Sequence, residues 1–374
     1  MRLRPTEYGI LWVKIAIVPV ETPEKYLDLK EFQQPGFSSA MKARFTQLIL
    51  IALVSLTSSC QITVPWGKSM LLGDDAAEGL NPLLLLLVAG GSSSIPTFYV
   101  ATQSGVSISR DGGFTYTSYT AGLAHLFVYG LAVVEPTVYT AGPMGISIST
   151  DGGRTYSTTS NTGDTGTISV SEGNIYVGTT SVGFQRSTDG GNTYANQTLG
   201  GMYPYAVYSQ SNLVYASISG VGGSSGLYVS TDFGVNFTQR FNGLNVAASY
   251  AVGSTVYAAT DNGLRISTDG GVTSNASGPA VNATDVFASG NNIYVSVNPG
   301  GLNISRDGGT SYTTYTIANG LGSNQVRTVY AFGDTVLAGT TAGLSISRDG
   351  GSTYTNYRTT NGLGSNSIFR VAVR

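Results

Sequence analysis

From residue 96 onward, apolar and polar positions alternate in short runs separated by glycine-rich turns. Residues 324–358 read NQVRTVYAFGDTVLAGTTAGLSISRDGGSTYTNYR, in which β-branched or aromatic residues alternate with small polar ones. A period of two is typical of half-buried strands, and each run has the length of a strand. The turns at Gly333, Gly253 and Gly290 suit tight hairpins, because glycine adopts positive φ without strain. The pattern therefore predicts units of four short antiparallel strands.

A ten-residue segment recurs at the same position in every unit. It reads SISRDGGFTY from Ser107, and variants of it recur about 40 residues apart. An aspartate carboxylate accepts hydrogen bonds from turn amides, and Gly-Gly permits a reversed backbone, so we expect a hairpin between the third and fourth strands. The seven aspartates at its centre are Asp111, Asp151, Asp189, Asp232, Asp269, Asp307 and Asp349. Repeats of this length and strand number predict an all-β, seven-bladed β-propeller over residues 96–374.

These segments resemble the bacterial neuraminidase repeat (BNR), or Asp-box, which reads Ser-x-Asp-x-Gly-x-Thr-Trp, with tyrosine here in the usual place of tryptophan. Three of the seven depart from the pattern, at Asn236, Ser274 and Ser311. The resemblance covers residues 98–374 and implies a propeller in which the box is a structural turn at the outer rim. It implies no particular activity, because such repeats occur in sialidases and in propellers that are not enzymes.

The two ends of the repeat region predict how the ring closes. The first unit begins with what would be a second strand, PTFYVAT, and the final GLGSNSIFRVAVR repeats the start of a blade and stops. We expect residues 367–374 to pair with residues 99–102, because closure removes two sheet edges that otherwise invite aggregation. The sequence NGLGSN, at Asn319 and again at Asn361, also resembles the start of a blade in two-component-regulator propellers, which are sensors.

The first 95 residues do not continue this repeat. The segment MKARFTQLILIALVSLTSSC has a basic start, a short apolar run and small residues before Cys60, which is the order of a secretory signal. It also resembles a bacterial lipoprotein signal of the spirochaetal type, with a plain secretory signal as the alternative. We expect residues 1–40 to be an upstream extension or disordered, residues 41–60 a signal peptide, and residues 61–95 a flexible tether. The resemblance implies a lipid on Cys60 and a place at the bacterial outer membrane or cell surface, or else secretion.

Charge and residue inventory limit the chemistry. The formal net charge is −2 and only 11% of the residues are charged, which argues against a nucleic-acid partner because such binding needs a basic face. With His125 as the one histidine and Cys60 as the one cysteine, histidine-based triads, multi-histidine metal sites and internal disulfides are excluded. Each DGG turn offers one carboxylate, too few for calcium. We expect no cofactor and no metal, and a monomer.

Hairpin alternation places the turns between second and third strands, and the connections between blades, on one face of the propeller. These loops contain mostly Gly, Asn, Ser and Thr with a few aromatic residues, and rigid scaffolds commonly bind ligands through such loops. Aromatic residues there could stack on sugars, anchor a protein partner or pack between blades. The predicted ligand-binding residues are Tyr203, Tyr205, Phe241, Asp261, Asn262, Arg327 and Arg370.

Catalysis is the alternative to binding on this face. Glycoside hydrolysis needs two carboxylates, and the candidates are Asp164, Asp261 and Asp285, for which turn formation is the other role. A sialidase would also need an arginine cluster, and the SIPTF segment at Ser94 lacks the arginine that the family has there. Because the face has few ionisable groups, we expect an envelope-anchored binding or interaction module for a glycan or protein. A carbohydrate-active enzyme and an assembly factor are the alternatives.

Overall fold

The computed structural model describes two separate parts of the chain, which cluster as Met1–Ser94 and Ile95–Arg374. In the first part it describes three strands that form an antiparallel sheet in the order β1-β2-β3, namely β1 (Arg2–Pro5), β2 (Leu11–Ile17) and β3 (Lys25–Asp28). In the second it describes residues 95–374 except 160–162, 198, 200–201 and 221–223. The predicted signal peptide with Cys60, and residues 61–94 of the predicted tether, lie outside the described residues.

Residues 95–374 form a seven-bladed β-propeller of four-stranded antiparallel sheets. In chain order its strands are β4 (Phe98–Thr102), β5 (Gly105–Ser109), β6 (Thr117–Tyr119), β7 (Gly130–Val134), β8 (Thr137–Gly142), β9 (Gly145–Ser149), β10 (Ser157–Thr158), β11 (Thr165–Ser171), β12 (Asn174–Thr179), β13 (Gly183–Ser187), β14 (Ala195–Asn196), β15 (Pro204–Gln210), β16 (Leu213–Ile218), β17 (Gly226–Ser230), β18 (Thr238–Arg240), β19 (Val246–Val252), β20 (Thr255–Thr260), β21 (Gly263–Ser267), β22 (Asn275–Ser277), β23 (Ala283–Ser289), β24 (Asn292–Val297), β25 (Gly301–Ser305), β26 (Thr313–Tyr315), β27 (Val326–Phe332), β28 (Thr335–Thr340), β29 (Gly343–Ser347), β30 (Thr355–Tyr357) and β31 (Ile368–Val373). Blades 2 to 7 are sets of four consecutive strands, from β7–β10 to β27–β30. Two short 3-10 helices, Ile317–Asn319 and Thr359–Asn361, follow blades 6 and 7. Within the described residues, no helix is long and apolar enough to cross a membrane.

The C-terminal strand closes the ring. Blade 1 has the strand order β31-β4-β5-β6, and Val371 lies opposite Val100 in the β31–β4 pair. The pairing continues past the strand ends, where the Thr97 amide donates to the Arg374 carbonyl at 2.6 Å. The closure predicted from the two ends of the repeat is therefore confirmed, together with the all-β, seven-bladed architecture.

The core lies between neighbouring blades, so the second and third strands are buried on both faces. β5 and β29, for example, are buried at every position, although their sequences alternate apolar residues with serine. The pattern predicted half-buried strands, but each sheet of a propeller is covered by a blade on either side. The buried serines remain hydrogen-bonded: Ser107 Oγ lies 2.9 Å from Ser118 Oγ and accepts from the Gly364 amide at 2.9 Å.

The seven repeated turns share one hydrogen-bond pattern. In each, the serine hydroxyl donates to the aspartate carboxylate and accepts from the amide of the glycine two residues after the aspartate. The residue four positions after the aspartate donates to its other oxygen, and Asn236 and Ser311 do so at 2.7 and 2.6 Å. The two substitutions therefore preserve the turn, because each supplies a side-chain donor. We call the face with these turns the Asp-box face, and the opposite one the loop face.

Candidate functional site

The first strands of the seven blades surround the central channel. Successive first strands contact one another around the whole ring, including β31 with β7. In six of them the pairing with the second strand shifts by one residue near the loop face. A β-bulge of this kind bends the strand and can re-aim a side chain. The residues skipped by the pairing are Gly166, Tyr205, Ala247, Thr284, Arg327 and Phe369.

A continuous row of aromatic rings lies at this level across blades 2 and 1 and ends at an arginine of blade 7, and we call it the aromatic row. Phe369 meets Tyr129 edge to face with ring centroids 5.1 Å apart, and Tyr129 meets Phe127 at 6.4 Å. His125 extends the row, with its ring 5.1 Å from Phe127 and its Nδ1 accepting from the Phe127 amide. At the other end, the Arg327 guanidinium lies 4.8 Å from the centre of the Phe369 ring.

Arg327 supplies a positive charge at the end of the aromatic row. Its Nη1 donates to Ser367 Oγ at 2.8 Å, which holds the guanidinium over the neighbouring blade. Partial burial lowers its pKa. Among the described residues the one ion pair joins Arg370 to Asp285, so no described carboxylate neutralises Arg327. An anionic or strongly polar group of a ligand would satisfy it.

Asp285 and Arg370, both predicted site residues, meet just below this level. Arg370 Nη1 lies 3.0 Å from Asp285 Oδ2, and the Val329 amide donates to the same oxygen at 3.1 Å. The three residues come from blades 1, 6 and 7, and Asp285 is 6% exposed. This arrangement ties three blades together and leaves the Asp285 carboxylate engaged rather than poised as an acid or base.

Blade 4 lies across the ring from blades 7 and 1 and presents two exposed tyrosines. Tyr203 is 49% exposed and Tyr205 is 69% exposed, at the start of β15. Asp164 precedes β11 on the adjacent blade, and its carbonyl accepts from the Thr180 amide. Large exposed aromatic side chains on a loop face are typical of binding surfaces.

Asp261 and Asn262 form the turn between β20 and β21 on the same face. Asp261 Oδ2 accepts from Asn245 Nδ2 at 2.8 Å, and Asn245 Oδ1 in turn accepts from the Gly220 amide. Hydrogen bonds therefore hold the Asp261 carboxylate in a loop network. The three candidate catalytic aspartates lie on blades 3, 5 and 6.

Phe241 lies apart from the other predicted ligand-binding residues. It is 9% exposed and packs between blades 4 and 5 with Leu227, Val229 and Leu244. Its ring thus belongs to the core, which is the alternative role for an aromatic residue next to a blade. We leave it out of the proposed binding surface.

A cavity of about 620 Å³ lies on the Asp-box face between blades 1 and 2. Its polar lining already has structural partners: Arg110 donates to the Gly152 carbonyl at 3.0 Å, and Asp151 accepts the bonds of its own turn. At the channel mouth, by contrast, Arg327 has no described carboxylate partner and the side chains of Tyr203 and Tyr205 are exposed. For the described residues, no cluster of three or more His, Cys, Asp or Glu side chains could hold a metal ion.

The aromatic row was not predicted from the sequence. Its members lie just before or within the first strands, as HLFVYGL in blade 2 and SIFRVAV in blade 1. Aligning these starts of blades with one another would have placed Tyr129, Phe369 and Arg327 at equivalent positions. Their contacts with one another could not have been predicted in this way, because they depend on the bulge and on the closed ring.

No family model and no curated protein matches this chain. Several solved structures are similar to it. The extracellular domain of BT4673 from B. thetaiotaomicron superposes with TM-score 0.56 at 15% identity over 67% of this chain and 36% of that one. The GH74 xyloglucanase from Xanthomonas campestris gives 0.57 at 16% identity over 70% and 51%. YCF48 from Cyanidioschyzon merolae gives 0.51 at 16% identity over 63% and 86%.

The fold defines the class: this chain contains a seven-bladed β-propeller. It spans about a third of the BT4673 domain and about half of the xyloglucanase. At these identities the likeness concerns the fold alone, and propellers with one architecture serve unrelated functions.

Proposed function

We propose that this chain is a binding module that takes a glycan or protein ligand at the loop-face mouth of the central channel. The observation that supports it most is the aromatic row ending in Arg327, a half-buried cation without a described carboxylate partner. Aromatic rings supply large contact area, and a guanidinium beside them fixes the orientation of a polar group. Tyr203 and Tyr205 across the channel would contact the other side of the ligand.

A carbohydrate-active enzyme is the second candidate, because Asp164 and Asp261 lie on the same face. Hydrolysis needs one carboxyl group that donates a proton and a second that acts as base or nucleophile. Asp285 is engaged in its ion pair and Asp261 in its loop network, so binding without turnover fits the geometry better. A role in assembly would use the same surface for a protein ligand.

For its location we propose export and a lipid anchor at Cys60, supported by the sequence of residues 41–60 alone. Replacing Cys60 with serine should release the protein from the membrane fraction of expressing cells. Unchanged membrane association of Cys60→Ser would contradict the anchor without affecting the proposal for the channel mouth.

The test is one screen of the full-length protein against a panel of polysaccharides, sialoglycans and peptides, measuring binding and sugar release in the same samples. Arg327→Met and Tyr205→Ala should weaken binding at least about tenfold. Matched controls on the Asp-box face are Arg154→Met and Phe233→Ala, the latter removing a ring that is 37% exposed.

Each outcome assigns a function. Binding that is lost in the mouth variants and kept in the controls supports the module. Sugar release that disappears in Asp261→Asn or Asp164→Asn makes the protein an enzyme. Binding that all four variants retain places the ligand elsewhere and refutes the proposed site.

A further inference from the structure

The interface between blades 4 and 5 lacks an element that the other interfaces have. Six of the seven boxes end in an aromatic residue, and the fifth has Ser274 instead. A Cβ placed on Gly153 would lie 3.1 Å from the hydroxyl of Tyr156 in its own box. A Cβ on Gly271, the equivalent glycine of blade 5, would instead lie 3.6 Å from Cγ of Arg240. The aliphatic part of Arg240, on blade 4, therefore occupies space beside the box that lost its ring.

A second arginine enters the same interface from blade 5. Arg240 lies directly opposite Leu227 in the β17–β18 pair, and Arg265 lies directly opposite Ala258 in the β20–β21 pair. Residues opposite each other in an antiparallel pair point to the same face of the sheet. Leu227 and Ala258 belong to one core cluster between blades 4 and 5. Both arginine side chains are thus directed into this interface.

Neither arginine has a partner among the described residues. The Nε atoms of Arg240 and Arg265 are buried and without a hydrogen bond, and the described ion pair involves neither residue. Leaving a buried N–H group without a hydrogen bond is unfavourable, because the group loses its bond to water and gains none from the protein. Both side chains are half-buried overall, so the rest of each guanidinium keeps access to solvent.

Four arginines at other blade interfaces have acceptors within the protein. Each of the four donates to a backbone carbonyl of the next blade: Arg110 to Gly152, Arg306 to Gly350, Arg348 to Gly112 and Arg374 to Val133. The two arginines between blades 4 and 5 present the same donors without an acceptor. An external acceptor with negative charge would complete the interface.

We propose that the interface between blades 4 and 5 binds a phosphate or sulfate group through Arg240 and Arg265. Guanidinium groups bind oxyanions through paired N–H donors, and a doubly charged, tetrahedral oxyanion can accept from two of them at once. No bond is made or broken, and the site is separate from the channel mouth. The group arrives as a free ion or as an ester on a larger ligand.

The experiment compares the full-length protein in phosphate, sulfate, acetate and chloride at equal ionic strength and pH. Calorimetric titration gives the affinity for inorganic phosphate and sulfate, and thermal unfolding gives the stabilisation. Arg240→Met and Arg265→Met remove the donors but keep the aliphatic packing. We expect each to weaken phosphate or sulfate binding at least about tenfold. Arg154→Met, an exposed arginine of another box, is the matched control.

A second readout separates binding from a purely structural role. In chloride, both methionine variants should melt at or above the temperature of the native protein, because each loses a buried unsatisfied N–H group. Variants that melt lower in every salt, with unchanged phosphate affinity, would show a structural role and overturn the proposal. So would equal melting of the native protein in all four salts, or stabilisation by acetate alone.

A phosphate monoester and a sulfate monoester, titrated beside the inorganic ions, identify the source. Tighter binding of an ester than of its free ion indicates a group on a larger ligand, and tighter binding of the free ion indicates the ion itself. Loss of these interactions in Arg240→Lys and Arg265→Lys, which keep the charge, would show that the paired donors are required.

Discussion

Blades 6, 7, 1 and 2 are joined to one another differently from blades 3, 4 and 5. In the first group, which we call the closing arc, the residue before the box aspartate is arginine in blades 6, 7 and 1. Arg306, Arg348 and Arg110 each donate to a box glycine of the next blade. In the second group, the open arc, the same position is threonine: Thr188, Thr231 and Thr268. Blade 2 also has threonine there, Thr150, and belongs to the closing arc because its Gly152 accepts from Arg110.

The connections between blades follow the same division. After blades 6 and 7 the chain forms a 3-10 turn whose end packs on the next box, and the Asn361 carbonyl accepts from the Tyr116 amide at 3.0 Å. The open arc instead presents Tyr203 and Tyr205 to solvent and leaves Arg240 and Arg265 without described partners. Repeats with one fold thus differ in their contacts, because a few variable positions decide whether a side chain bridges two blades or is left exposed or without a described partner.

The largest effect should come from breaking the closing arc at the ring closure. Deleting residues 366–374 removes β31, exposes the edge of β4 and breaks the Asp285–Arg370 pair. We expect loss of cooperative folding, measured by circular dichroism and thermal unfolding. Deletion of residues 1–40 is the control and should leave the propeller transition unchanged. A C-terminal deletion that melts like the native protein would contradict the closure.

Acid should weaken both arcs alike, because both use the same box hydrogen bonds. Hydrogen bonds from the Asn236 backbone and the Ser230 hydroxyl lower the pKa of Asp232 to about 2, and hydrogen bonds lower the pKa of Asp151 further. A carboxyl group with a lowered pKa contributes stability that is present above its unfolded value of about 4 and is lost as the pH falls through the folded value.

The melting temperature should therefore be steady above about pH 5 and fall between about pH 4 and pH 2. Asp151→Asn, which removes one titrating group, should be less stable at pH 7 and lose less on acidification. A melting temperature that stays constant down to pH 2 would contradict this account of the box.

A smaller effect should follow from removing one bridge of the closing arc. Arg348 Nη2 donates to the Gly112 carbonyl at 2.9 Å, and its guanidinium lies 4.3 Å from the Phe114 ring centre. Arg348→Met should lower the free energy of unfolding by about 1 kcal/mol in urea denaturation. Arg154→Met, which loses a contact within its own box, should change it by less, and equal losses would mean that the bridges do not distinguish the arcs.

The smallest effect concerns the box tyrosines. The hydroxyl groups of Tyr156 and Tyr354 are buried without a described partner, whereas that of Tyr312 lies 2.9 Å from Ser277 Oγ. Burial raises the pKa of Tyr156 and Tyr354. Tyr156→Phe should leave the free energy of unfolding unchanged or raise it by up to about 1 kcal/mol, and Tyr312→Phe should lower it by about 1 kcal/mol. The reverse order would show that these hydroxyls have partners.

The sequence predicted the features that repeat. Periodicity predicts the seven boxes, the four strands per blade and the C-terminal strand at residues 367–374 that completes blade 1. It does so because every unit repeats the same local sequence pattern. Periodicity did not predict whether a given side chain is buried or exposed, because that depends on the neighbouring strand and blade. Phe241 is buried and Tyr205 is exposed although both are aromatic residues near loops, and only the bulge and the neighbouring blade decide between them.

The same limit applies to charges. Asp285 and Arg370 were separate candidates from the sequence, and the closed ring brings them to 3.0 Å. Arg240 follows the fourth blade's box as an ordinary polar residue, and its role beside Gly271 depends on the loss of a ring at Ser274 in the next repeat. Contacts across the closure or between repeats are absent from the local pattern.

The most direct test of the central claim, that the ligand binds at the loop-face mouth, is the affinity of Arg327→Met for the ligand identified in the panel. Titration of the native protein, Arg327→Met and Arg154→Met with that ligand should give affinities at least about tenfold weaker for Arg327→Met and unchanged for Arg154→Met. Equal affinities for all three proteins would contradict the claim.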